Sequence, residues 1–219
     1  MRKTEIGLAL LLVAWMCGCS SSTPTKAPEQ TSSAPAAQPA PAAKPPETTA
    51  LTGREGFQKA FVAAHMWAPD ARPYRIQSTS TQDATGKDGK AAIWQAGFAS
   101  AMKRNIKTFT WSGSHAEGAP DPGISSTAED TYNPTSSSTR VFDPIYLKSD
   151  TDSAFAVAQK HGGEKLTKKK ADQRIGYLAD WDPRESKLIW HVYYGDRPGD
   201  AALNVAVDAT TGAFLRVEK

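Results

Sequence analysis

Beyond residue 19 the sequence contains no cysteine; its only two, Cys17 and Cys19, lie near the start of a 219-residue chain. That distribution excludes a disulfide framework and a thiolate zinc site in the remainder. The four histidines (His65, His115, His161 and His191) form no H-E-x-x-H pattern and no pair four residues apart. No G-x-S-x-G elbow or glycine-rich phosphate loop is present either. Charge of one sign is in short surplus: 26 Lys and Arg face 23 Asp and Glu, a net of +3, which excludes a strongly electrostatic nucleic-acid binder. No apolar run approaches the roughly 20 residues that a membrane-spanning helix needs. Acidic pairs such as Asp150/Asp152 and Asp196/Asp200 fall at cap and turn positions, which accounts for them without a general acid. Residues 83–89 (DATGKDG) lack the third acidic ligand and the terminal Glu of a calcium loop, and read as a hairpin turn. The chain is therefore expected to be no enzyme and to carry no metal or cofactor.

What is present begins with a leader. Arg2 and Lys3 precede an apolar run over 6–16, a charged start and short core that reads as a secretory signal. The run ends in Met16-Cys17-Gly18-Cys19-Ser20, which resembles a bacterial lipoprotein lipobox, with small Gly18 before Cys19 and Met16 where Leu is usual. The resemblance implies a signal peptide over 1–18 and acylation of Cys19, with palmitate among its chains. Two or more acyl chains anchor stably where one does not. In a Gram-negative cell, Ser20 rather than Asp after the cysteine implies the periplasmic side of the outer membrane.

Residues 20–50 contain no aromatic residue and no Leu, Ile, Val or Met, but seven of the fifteen prolines. Such a stretch cannot bury enough apolar surface to offset chain entropy, so 19–50 is expected to be a disordered tether.

The remaining 169 residues, 51–219, suffice for a buried core. Thr52 and Glu55 have capping-box spacing, and Phe57, Ala60, Phe61 and Ala64 recur on one helical face. Strand-like runs follow at 74–80, 91–100 and 106–112, carrying Trp94, Phe98, Phe109 and Trp111. After a Gly-, Pro-, Ser- and Thr-rich connection, a second helix begins at 152 and is expected to stop at Gly162-Gly163. Four strands follow, with Leu188, Trp190, Val192 and Tyr194 alternating on one face. Ile189 and Tyr193 fall on the opposite face, an apolar and aromatic surface suited to a partner. His191 shares that face and reads as a surface residue.

Ala60-Phe61 with Ala64 matches Ala154-Phe155 with Ala158, and Ile93-Trp94 matches Ile189-Trp190 at near-equal spacing. The predicted class is α+β: two tandem units, each one helix packed on an antiparallel meander, over 51–115 and 150–219, joined by a long loop over 116–149.

From about 150 to 218 the chain resembles the PepSY family and its relatives. The residues that carry the resemblance are Ala154 and Ala158 on the helix, Trp190-His191-Val192 in a strand, and Val207-Asp208-Ala209-Thr210-Thr211-Gly212 in a turn. The first half matches only in its helix and Trp94 strand and lacks that turn. The resemblance implies an exported, non-catalytic protein-binding module, with a peptidase as a partner class through inhibition or regulation. A second reading rests on the basic cluster Lys165, Lys168, Lys169, Lys170 and Arg174, which could dock an envelope-assembly or wall-associated module on anionic lipid or wall polymer.

Overall fold

The computed structural model describes residues 47–218; the leader, Cys19 and the tether up to residue 46 lie outside the described residues, whereas the last four residues assigned to the tether, 47–50, are held on the fold by the hydrogen bonds of Thr48 and Thr49. The short strand β1 (Leu51–Thr52) leads directly into helix α1 (Gly53–Trp67). The capping box forms as its spacing predicts: the Thr52 N–H donates to Glu55 Oε2 at 2.9 Å. Phe57, Ala60 and Ala64 are buried along α1, the face expected from their period.

The chain then forms β2 (Arg72–Thr79), β3 (Lys90–Ala91), β4 (Ile93–Ser100), β5 (Asn105–Ser112), β6 (Gly123–Ser126) and β7 (Asp130–Thr131). Helices α2 (Thr151–Ala158) and α3 (Glu164–Lys169) follow. Strands β8 (Ile175–Asp182), β9 (Lys187–Tyr194), β10 (Asn204–Asp208) and β11 (Phe214–Glu218) complete the described chain. All observed strand pairs are antiparallel. β1 pairs with β3, and the main sheet has nine strands in the order β11-β10-β9-β8-β2-β4-β5-β6, with β7 also on β5. The class is α+β, with a large antiparallel sheet and few helices.

The join in the middle of the sheet is made by β2 and β8, where Ile76 faces Ala179 and Gln77 faces Leu178. Helix α1 packs on β4 and β5, and α2 packs on β9 and β10. Their contacts belong to one core of Phe57, Trp94, Phe98, Phe109, Tyr177, Trp190, Val192 and Tyr194. The aromatic alternation read from the sequence thus marks the core face. The turn after β10 works as its residues require. Asp208 accepts from the N–H groups of Thr210 (2.8 Å) and Thr211 (3.1 Å), and Gly212 takes φ +75°.

The second helix does end at this glycine pair: α2 runs to Ala158, and Gly162 and Gly163 lie in a π-turn over residues 159–163 that leads into α3, a short helix beyond the single one expected of this half. Gly162 has φ +117°, and a Cβ on Gly163 would lie 2.0 Å from the Tyr194 hydroxyl, so both positions need glycine for a kink against β9. The connection over 116–149 also differs from a plain loop, because β6 and β7 extend the sheet beyond β5. Their four and two residues are too short to show a period.

Candidate functional site

Three features invite a functional reading: the point where the N-terminal segment joins the fold, the basic cluster, and the sheet face turned away from the helices.

At the first, the Thr49 N–H donates to Gly113 O at 2.9 Å, and the Thr48 hydroxyl donates to the Asp83 carboxylate. Ser114 Oγ donates to the same carboxylate at 3.0 Å. Burial alone would raise the Asp83 pKa, but hydrogen bonds from Thr48, Thr81 and Ser114 outweigh it and hold the group at about 2. Asp83 therefore serves as an ionised acceptor fastening residue 48 to the 81–89 loop. Among the described residues, no His, Cys, Asp and Glu group is arranged to hold a metal ion.

The same loop continues to the basic cluster. Ile175 N–H donates to Thr85 O at 2.8 Å, and Lys87 Nζ donates to the carbonyl of Ala171. Lys165, Lys168 and Lys169 stand on α3, with Lys170 just after it and Arg174 just before β8; all five are exposed. Lys168 pairs with Glu164 at 2.6 Å and Arg174 with Asp196 at 2.8 Å. Lys165, Lys169 and Lys170 have no ion pair among the described residues. Sequence reading found the cluster by composition, but not that three of its lysines ride on a short helix, nor what lies beside it.

The outward face of the sheet is polar and ion-paired. His191 lies between two carboxylates: Nδ1 is 2.7 Å from Glu218 Oε2 and Nε2 is 3.2 Å from Asp180 Oδ1. Burial would depress the imidazole pKa, but the two acidic partners overcome it and raise it to about 9. Glu218 is correspondingly held below its ordinary range, chiefly by His191. Arg216 extends the network to Glu218 (2.8 Å) and Asp182 (3.5 Å), and Arg75 approaches Asp180 at 3.9 Å. His191 is therefore no free surface residue. Its partners come from β8 and β11, and no local pattern announces them.

Ile189 and Tyr193 do not form the exposed patch expected of them: they are 0% and 6% exposed. The Tyr193 ring lies over Gly176, where an added Cβ would meet it at 2.1 Å. Ile189 stands in register between Asp180 and Asp208. What remains open is a shallow furrow of three adjoining depressions. One, of about 460 Å³, is lined by Gln95, Ile93 and Thr79; the next, about 350 Å³, by Gln77, Leu178 and Tyr193; the third, about 400 Å³, by Leu178, Asp180 and His191. Shared walls at Thr79 and Leu178 make them continuous.

No helix among the described residues is long and apolar enough to cross a membrane. No protein-family model and no curated protein matches the chain. A solved structure that does match is that of a candidate lipoprotein from Clostridium difficile 630, with a TM-score of 0.49 and 10% identity over 74% of this chain and 91% of that one.

Proposed function

We propose that this is a lipid-anchored envelope protein, held by acylated Cys19, whose folded part is a non-catalytic module that binds another protein through the open face of its sheet. The observation that carries the reading is the one-sided cover of the sheet. Helices α1 and α2 lie on one face, while the other keeps a continuous furrow walled by Gln77, Gln95, Leu178 and His191. A shallow surface of this kind, mixed polar and apolar, suits a protein partner better than a small substrate, which calls for an enclosed and mainly apolar pocket. His191 supports the non-catalytic part: clamped by two carboxylates, it is protonated at neutral pH and cannot serve there as a general base. A peptidase is the partner class that the PepSY resemblance suggests trying first.

We also read residues 51–115 and 150–219 as two related helix-plus-meander units. In support, Trp94 Nε1 donates to Leu51 O at 2.9 Å and Trp190 Nε1 donates to Ser149 O at 3.0 Å. Each tryptophan so ties the second full-length strand of its half to the residue before the cap of that half's helix.

Cys19→Ser should move the protein from the membrane to the soluble fraction, and unchanged fractionation would refute the anchor. For the binding face, the full chain is used to capture partners from envelope extract. Leu178→Arg and Gln95→Arg should abolish a specific capture that Ala156→Arg, on the exposed side of α2, leaves intact. Equal capture by all three would remove the sheet face from the account.

A further inference from the structure

Resting on the lipid-anchored reading, we infer that the end of the fold carrying Lys165, Lys169 and Lys170 docks on the anionic bilayer surface to which the chain is tethered. The fold brings together two segments that the linear sequence keeps apart. The tether and the basic cluster are more than 100 residues apart in sequence, yet one loop touches both. Asp83 accepts from Thr48, the Thr85 carbonyl accepts from Ile175, and Lys87 Nζ reaches the Ala171 carbonyl. Thr85 is two positions after Asp83, a span of at most about 7 Å. The N-terminal segment therefore joins the fold close beside the basic stretch, and a lipid at Cys19 draws that end toward the membrane.

The charge there is suited to the surface. From Lys160 to Arg174 the chain holds six basic residues and two acidic ones, Glu164 and Asp172. Lys165 and Lys169, four apart on α3, share one side of the helix, while Leu166 packs toward the core. The three unpaired lysines pay no ion-pair exchange on approaching phosphate. Each basic residue near an anionic surface strengthens binding about fivefold, so three supply about a hundredfold. That is slight for a protein free in solution. It is ample for one joined to the lipid by only the 28 residues between Cys19 and Thr48, which keep the domain at an effective concentration near the millimolar range. The attraction acts only within a Debye length of about 8–10 Å, so it is salt-sensitive.

The test uses the acylated full-length protein on vesicles. Once Cys19 is acylated and the leader removed, no free thiol remains, so Ala171→Cys gives one labelling site on an exposed residue. Energy transfer from that label to a headgroup acceptor is compared on phosphatidylcholine vesicles and on equal parts phosphatidylcholine and phosphatidylglycerol at low ionic strength. Met102→Cys, 80% exposed in the β4–β5 turn at the other end of the strands, is the second probe position.

Transfer from position 171 should rise on the anionic vesicles, fall with added salt, and exceed that from position 102. Reversing Lys165, Lys169 and Lys170 to Glu should lower the docked-to-undocked ratio by more than about a hundredfold. Equal transfer on the two vesicle types, or a greater rise at 102, overturns the docking. Loss of co-sedimentation with insoluble cell wall in the triple variant, without a change on vesicles, overturns it in favour of wall polymer. Flotation of the same samples separates the two ideas: a protein that floats but does not dock leaves the anchor standing, whereas one that fails to float removes both.

Discussion

The indole rings of Trp94 and Trp190 meet edge to face, with centroids 6.4 Å apart and planes at 70°. They come from β4 and β9, which are not neighbours in the sheet, and both are essentially unexposed. Replacing either by Ala should cost about 3–5 kcal/mol. The contact itself is isolated by the Trp94→Phe and Trp190→Phe variants and their combination. Denaturant unfolding of the 51–219 domain should give a coupling energy of about 0.5–1.5 kcal/mol. Strict additivity would mean that the rings share a core without stabilising one another.

One carboxylate caps two helices. Asp150 Oδ1 accepts from Thr151 N–H at the start of α2 (2.7 Å) and from Arg54 N–H in the first turn of α1 (2.9 Å). Gly53 N–H is taken by Thr151 Oγ1 at 2.8 Å, so the two helix starts are stitched directly to each other. Asp150→Ala should therefore destabilise by about 2 kcal/mol, roughly twice a single-cap loss, while Asp150→Asn retains most of the stability. Thermal or urea midpoints of the two variants check this. A loss no greater than that of Asp143→Ala, which caps only a single 3₁₀ turn, would show that the shared cap contributes nothing extra.

Gly56 inverts the usual glycine rule. In a helix interior, Gly→Ala ordinarily stabilises by up to about 1 kcal/mol. Here an added Cβ would stand 2.4 Å from Trp94 Cγ and Cδ1, inside a packed ring held by its own hydrogen bond to Leu51. Gly56→Ala is expected to destabilise by about 1–3 kcal/mol. Gly199→Ala, where nothing lies within 4 Å, should stay within about 0.5 kcal/mol of wild type. Stabilisation by Gly56→Ala would show that Trp94 can shift freely.

The features legible in the sequence are those whose causes are local. Thr52 and Glu55 are three residues apart, Asp208 bonds residues two and three ahead, and Trp190, Val192 and Tyr194 alternate within one strand. Partners across the fold left no such trace. Nothing in the β2 sequence announces that Ile76 will face Ala179, more than 100 residues on. Alternation places Ile189 and Tyr193 on the outward face, yet says nothing of Gly176, whose missing side chain lets Tyr193 fold down and leave solvent. The basic run could be counted from composition, whereas its nearness to Thr48 depends on a loop from the other half of the chain. His191 departs from the surface residue expected of it for the same reason: its charge state is decided by residues on two other strands.

That charge state makes stability depend on pH in a definite direction. The folded pKa of His191, about 9, lies above its ordinary 6.5, so folding favours the protonated ring. The stabilisation is complete below pH ~6.5 and is lost as the pH rises through ~9, to a total of at most about 3 kcal/mol. Glu218 works in the opposite sense: held below its ordinary 4.5, it stabilises above that value and loses its contribution as the solution is acidified. The two limbs place the optimum of this cluster between pH ~4.5 and ~6.5. Urea midpoints measured from pH ~5 to ~10 should decline on the alkaline side, and His191→Gln should flatten that decline while lowering stability near pH 6. An alkaline limb unchanged in His191→Gln would show that Asp180 and Glu218 do not hold the ring as a cation.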